Sequence, residues 1–295
     1  MSAVTIAICT FRRAHIAQTL GSLALLAVPA QSSIEVLVVD NDDTPSAQTL
    51  VEQAFAALPF PARYLHAPAR NISLARNACL AHTRTPLLAF IDDDETVQPG
   101  WLSAMLAQQE RTQAAAVLGP VNAIYPPTCP VWMRRGDFHS TRPVWVDGTI
   151  RTGYTGNVLL NLAHPALQGL PFVLELGTSG GEDTMFLGTL VTRGGTIAYA
   201  PDGIAEEPVT TDHARLGWLL KRRFRSGQTH AMLLGGGLKL GATALAKACA
   251  CAGIALAHAF SPARMIHWLL RGTLHAGVVT QVIAGWCAKR QFPRG

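Results

Sequence analysis

Acidic residues stop at Asp212. All 19 Asp and Glu lie within residues 1–212 beside 12 Lys and Arg, an excess of seven negative charges, whereas residues 213–295 hold the other 12 Lys and Arg and no acid. That asymmetry predicts an anionic partner for the C-terminal part: a membrane surface, phosphates or nucleic acid. Charged residues are scarce overall, 15% against 49% hydrophobic, which is apolar for a fully soluble enzyme. The first 230 residues contain no uninterrupted apolar run of 18, and the N-terminus lacks the basic-then-apolar layout of a signal peptide. Cysteine is sparse: Cys9, Cys79, Cys129, Cys249, Cys251 and Cys287 form no CxxC and no framework spacing. Small buried thiols in a reducing compartment are expected rather than disulfides. No internal repeat is present. At 295 residues the chain can bury one large domain, or one domain plus an appendage.

What is there is a regular alternation. "VTIAICT" (4–10), "IEVLVVD" (34–40), "ARYLHA" (62–67) and "PLLAFID" (86–92) read as strands. Helical stretches running to Leu26, over 46–57 and over 72–83 separate them. This pattern predicts a parallel, doubly wound sheet covered on both faces. Ligands of such sheets gather at the carboxyl ends of the strands, where Thr10, Asp40 and Asp92 fall. Residues 119–150 read as irregular loops and short strands. Beyond them come a strand at 156–161, a helix at 181–195, a strand at 196–201 and an Arg-rich helix at 214–227.

"AFIDDDE" (89–95) packs four acids where a buried strand ends. Three readings compete. The acids cap a helix beginning near Pro99, favoured by its positive end. Alternatively "DDDET" is a phosphatase DxDxT whose first Asp is the nucleophile; that chemistry needs a downstream lysine followed by further acids, and here the first lysine is Lys221 with no acid after it. In the third reading the acids hold Mn²⁺ or Mg²⁺, which takes hard oxygen ligands and leaves much of its shell to water and phosphates.

"AICTFRR", "VLVVDND", "NISLARNACL", "AFIDDDETVQPGWL", "TGNVLL", "GGEDTMFL" and "WLLKRRFRSG" follow in an order that resembles the family 2 glycosyltransferases, most of all the bacterial members that build surface polysaccharides. The resemblance spans roughly residues 3–228. It implies the GT-A fold: an α/β, Rossmann-like, mostly parallel sheet with flanking helices, here with a C-terminal helical appendage. The expected divisions are 1–118 for the nucleotide-sugar half, 119–228 for the acceptor half and 229–295 for the appendage. By the same resemblance Thr10 and Asp40 contact the base and ribose of a nucleotide sugar. Asn41 stands at a position that is often Asp. Arg76 orients the nucleotide and the acidic cluster, where a guanidinium would also relieve repulsion among carboxylates. Asp92 and Asp94 match the ends of the DxD, with Asp94 the leading metal ligand and Asp93 near ribose or sugar. Glu95 is read as a helix cap. Asp183 matches the base that deprotonates the acceptor hydroxyl, with Glu182 contacting the acceptor or supporting Asp183; plain N-terminal capping by this pair is the alternative. Arg222, Arg223 and Arg225 fall where related enzymes grip the diphosphate, though such a run also suits a solvated or membrane-facing helix. Trp218 reads as core or acceptor platform, and His213 and His230 as ordinary.

Residues 231–290 are apolar and rich in Gly and Ala. "LGATALAKACACAGIALAHAF" (240–260) approaches the length of a membrane span but is interrupted by Lys247 and His258. At 100° per residue, Lys239, Lys247 and His258 share an arc of about 100°. After "SP" (261–262), a good helix start, Arg264, His267, Arg271 and His275 share a narrower stripe. A basic stripe beside an apolar face describes a helix lying in the lipid interface. A pair packed on the enzyme's own core and a true span are the alternatives.

These observations together predict a metal-dependent glycosyltransferase, inverting by preference. It would move a sugar from a nucleoside diphosphate donor to a saccharide acceptor, polyprenyl-diphosphate-linked, at the cytoplasmic face of an anionic membrane. An Mg-dependent nucleotidyltransferase is the enzymatic rival, but "CTFRRAHIAQTL" has no glycine before Gly21 to form its phosphate loop. A basic nucleic-acid-binding module is the non-enzymatic rival, set against too few aromatics among the C-terminal charges. An inactive scaffold is the third.

Overall fold

Val4, Ile6 and Ile8 pack on one face of strand β1 (Ser2–Thr10), and Ala7 packs on the other. A strand buried on both sides needs helices on both sides. The computed structural model describes residues 2–29 and 32–291, with side chains to residue 285, and supplies them. The further strands are β2 (Ser32–Asp40), β3 (Ala62–His66), β4 (Leu87–Asp92), β5 (Thr96–Val97), β6 (Ala116–Leu118), β7 (Val121–Ile124), β8 (Trp145–Val146), β9 (Thr149–Ile150), β10 (Asn157–Asn161), β11 (Ile197–Tyr199) and β12 (Ala205–Pro208). The helices are α1 (Ile16–Leu23), α2 (Gln48–Phe55), α3 (Ile72–His82), α4 (Trp101–Thr112), α5 (Val131–Gly136), α6 (Glu182–Thr192), α7 (Leu216–Leu233), α8 (Leu238–Ala257) and α9 (Pro262–Gln291).

The main sheet has seven strands in the order β11-β6-β10-β4-β1-β2-β3. The expected parallel pairing holds except at β10, which runs antiparallel to both β4 and β6. One face is closed by α1, α2 and α4 through Ile16, Leu20, Val51, Trp101 and Met105. The other is closed by α3 and α6 through Ala75, Cys79, Phe186 and Leu190. The chain separates into two compact units: residues up to Ile124 with Ser140–Pro208, and Tyr125–His139 with the chain from Val209 onward. These boundaries differ from the expected 118 and 228, because residues 125–139 leave the first unit and α7 falls wholly in the second.

The second unit is helical. Met133 and Phe138 pack with Leu219, Ile266 and Leu270, while Ala231, Ala244, Val278 and Val282 form a smaller cluster. Small residues let α7 and α9 meet backbone to backbone. A β-carbon on Gly227 would lie 1.9 Å from the Leu274 carbonyl oxygen, and one on Gly277 2.1 Å from that of Phe224. The expectation of buried thiols holds for Cys79, Cys129 and Cys251, while Cys249 is exposed and Cys287 lies outside the residues whose side chains are described. Replacing Gly277 by Val should force the helices apart at a cost of about 1–3 kcal/mol, the usual range for overpacking. Thermal unfolding should register the loss, whereas Gly253→Ala, where nothing lies within 4 Å of the new carbon, should leave stability equal or raised.

Candidate active site

Parallel pairing brings three strand ends side by side. The register sets Thr10 beside Asp40 across β1 and β2, and Cys9 beside Asp92 across β1 and β4. The antiparallel register of β10 sets Asn157 opposite Ile91, so Gly156 falls next to the acidic turn. A β-carbon on Gly156 would stand 2.6 Å from Glu95 Oε1 and 3.0 Å from Asp92 Oδ2. No side chain fits there; Gly156 is the wall against which the acids pack.

The cations that neutralise this cluster are arginines. Arg76, on α3, is buried; its Nη1 donates to Glu182 Oε1 and its Nη2 lies 3.5 Å from Asp92 Oδ1. Its guanidinium also sits over the Phe172 ring, 5.7 Å from the centroid, and Phe172 in turn stacks on Phe186 at 4.0 Å. Burial alone would lower the Arg76 pKa, but the charges of Asp92 and Glu182 outweigh it and raise it. Arg13, in the loop after β1, pairs with Asp94 through Nη1 and lies 3.4 Å from Asp93 Oδ1 through Nε. Sequence reasoning gave this residue no role, although it stands at the end of the motif "AICTFRR". Arg12 pairs with Asp42 at 2.8 Å, and Arg70 pairs with Asp43.

Each expected residue has a definite place. Thr10 is buried, and its hydroxyl donates to Asp93 Oδ2 at 2.7 Å. Burial, offset in part by that hydroxyl and by Arg13, pushes Asp93 up to about 7. Asp40 also has internal partners. It is fully buried, with both carboxylate oxygens taken by Asp42 N, Ala47 N and the Tyr64 hydroxyl, so it builds the turn after β2. Asn41 is also buried and accepts from Asn71 N at 3.1 Å, joining that turn to the start of α3. Glu95 is not a helix cap. Gly100 caps α4 without any side-chain bond, while Glu95 Oε2 accepts from Asp92 N at 3.2 Å and closes the acidic turn. Burial, then the Asp92 charge, hold Glu95 well above the usual carboxylate range.

Gly180 and Gly181, both at positive φ, turn the chain into α6, whose first residues are Glu182 and Asp183. Gly181 makes no side-chain cap, but both acids stand in the first turn of α6 and Asp183 Oδ1 accepts from Thr184 N at 2.6 Å, so N-terminal stabilisation by this pair stays an alternative. Burial, then the Glu182 charge, push Asp183 up to about 6. The segment before it is pinned to α3: Asn71 Nδ2 donates to Leu174 O, Ser73 Oγ to Val173 O and Asn77 Nδ2 to Phe172 O. Glu182 Oε2 and Thr155 Oγ1 are buried without a hydrogen-bond partner in the structure.

Asp92 and Asp94 keep 45% and 18% of their side-chain surface open. No set of three His, Cys, Asp or Glu gathers around one point among the described residues, so the protein offers no closed cage. Two partly open carboxylates do fit a hard divalent cation that takes the rest of its shell from water and a diphosphate. Arg222, Arg223 and Arg225 lie on α7, in the helical unit. There Arg222 sits over Trp218 at 5.2 Å, and burial, then Arg222, lower the Arg223 pKa. His213 is less ordinary than expected: it stacks on Trp218 at 4.3 Å, and its carbonyl accepts from His139, itself stacked on the same ring at 5.3 Å.

The Glycosyl transferase family 2 model matches residues 5–163. Succinoglycan biosynthesis protein ExoM of Rhizobium meliloti (strain 1021) is 50% identical over 286 residues, 95% of this chain and 93% of that protein. Among solved structures, the mannosyltransferase PcManGT from Pyrobaculum calidifontis, in complex with GDP-Man and Mn²⁺, matches with a TM-score of 0.60 and 15% identity over 99% of this chain and 76% of that one. S. aureus TarS 1-349, in complex with UDP, matches with a TM-score of 0.55 and 16% identity over 100% and 93%. The two structures bear on the fold alone, which is of the GT-A type. A motif series in order, a strand-end acidic cluster and a half-identical relative agree: this chain belongs to glycosyl transferase family 2.

Proposed function

We propose that the protein transfers a sugar, with inversion, from a nucleoside diphosphate donor to a saccharide acceptor in surface polysaccharide synthesis. The observation that carries this reading is the Arg76 bridge. One buried guanidinium ties Asp92, on the donor side, to Glu182, the neighbour of the candidate base Asp183. The half-identical succinoglycan biosynthesis protein supports the polysaccharide assignment, and a polyprenyl-diphosphate-linked saccharide suits the basic C-terminal region as acceptor. The protein would then work on the cytoplasmic side of an anionic membrane. Family membership sets aside the nucleotidyltransferase reading.

In the proposed reaction Asp183 takes the proton of the acceptor hydroxyl while that oxygen forms its bond to the anomeric carbon. The bond from that carbon to the diphosphate breaks, and the nucleoside diphosphate leaves with the electron pair. A carboxylate raised to about 6 is ionised at neutral pH yet basic enough to share that proton. Glu182 keeps one oxygen on Arg76, and its other oxygen is buried without a partner beside the candidate base. Asp94 and Asp92 would hold Mn²⁺ or Mg²⁺, which neutralises charge on the departing diphosphate when bound. Thr10, Asn41 and Asp93 border the donor side, and Arg222, Arg223 and Arg225 are candidate contacts for phosphate or acceptor.

A donor-hydrolysis assay across UDP-, GDP- and dTDP-sugars, with Mn²⁺ and with chelator, tests the assignment. Asp94→Ala and Asp183→Asn should each lower turnover ~10²-fold or more, with donor affinity falling mainly in the first; near-normal turnover in either contradicts it. Since Asp183 must be ionised to act, kcat/KM should fall as pH drops below about 6 and level off above it. An acid limb two units lower would point to a different base. Arg76→Met should leave two carboxylates without their cation and cost about 3–5 kcal/mol in denaturant titration.

A further inference from the structure

Helix α8 is apolar and long, with a mean hydropathy of 1.7 in its best window, yet little of it is covered. Ala244, Cys251 and Ala255 form its buried side. Opposite them Leu238, Leu245 and Leu256 stand 72%, 55% and 77% exposed, and Phe260, in the turn to α9, is bare at 103%. At 100° per residue the exposed Leu238, Ala242, Leu245, Cys249, Gly253 and Leu256 share an arc of about 80° that holds no charge, and Lys239 lies about 40° beyond its edge. An apolar face this continuous on a water-facing helix marks a contact surface.

We propose that this face of α8, with the Phe260 turn, is the seat of a lipid bilayer surface, and that the helix lies in the plane of the interface rather than across it. This specifies the membrane part of the reading above and does not depend on the catalytic part. The partner follows from charge. Lys239 lies beyond the edge of the face and no acid follows Asp212, so a second copy seated on it would set like charges together, whereas anionic headgroups complement them. The orientation follows from α9. A β-carbon on Gly272 would lie 3.2 Å from Cys251 Cβ, and one on Gly241 3.1 Å from Val282 Cγ1, so the two helices run antiparallel in close register. In that register Arg264, His267 and Arg271 lie alongside the half of α8 nearest the turn. Inserting the pair tip-first would carry these basic groups into hydrocarbon, which is costly; lying flat leaves them at the headgroups.

Cys249 sits in the apolar arc and is exposed. The full chain, with Cys287→Ser and an environment-sensitive fluorophore on Cys249, should shift its emission to the blue on phosphatidylcholine vesicles containing phosphatidylglycerol, and less on phosphatidylcholine alone. The unlabelled Leu245→Glu, Leu256→Glu double variant should bind the mixed vesicles at least about tenfold more weakly with donor hydrolysis and unfolding temperature unchanged, and alkaline carbonate should release the wild-type protein. An unshifted emission, unaltered vesicle affinity in the double variant, or retention after carbonate would each overturn the proposal. So would a change of oligomeric state in the double variant with vesicle binding intact. Loss of donor turnover in Asp183→Asn with vesicle binding preserved separates this surface from the catalytic reading.

Discussion

Everything at the strand ends depends on one buried cation. Asp92 and Glu182 come from segments ninety residues apart in the chain, and two carboxylates brought that close in a protected setting repel unless a positive group stands between them. Arg76 does so from α3, with its flat side over Phe172. The Coulomb attraction outweighs the loss of hydration on the guanidinium, as its raised pKa records. Because Glu182 and Asp183 are adjacent, fixing one orients the other. The scaffold for the strand-end acids and the scaffold for the candidate base are therefore a single network.

Around that cation the fit is set by what is absent. Gly156 has no side chain because Glu95 and Asp92 occupy the space where one would be. At Gly177 a β-carbon would collide with Asn71 Oδ1, 1.8 Å away, and Asn71 both starts α3 and holds Leu174. These close approaches carry the loop from Phe172 to Gly181 against the helix that bears Arg76. Asn157 completes the frame: fully buried, it accepts from Trp101 Nε1 and donates to Pro120 O and Gly203 O. The "TGN" that read as the start of a strand is a junction of four segments.

The helical unit is governed by a different balance. Its interior is built from small residues and close backbone contacts, and its outer surface keeps more apolar area than water favours.

Much was legible in the chain itself. Continuous apolar runs separated by amphipathic stretches specified the wound sheet, because strands covered on both faces can only be apolar throughout; polar ends of those runs then located Thr10, Asp40 and the acidic cluster. The direction of β10 was not legible, since a buried strand has the same composition whichever way it runs. Nor was the work of each acid. Asp40, Asp93, Asp94 and Glu95 look alike in sequence, but one builds a turn, one receives a threonine hydroxyl, one meets Arg13 and one clasps the Asp92 amide. The sequence by itself determined which residues are polar and roughly where each element begins. Only the tertiary structure decided which carboxylate faces which arginine, because pairing energies act over a few ångströms and that proximity arises only when segments far apart in the chain are packed together.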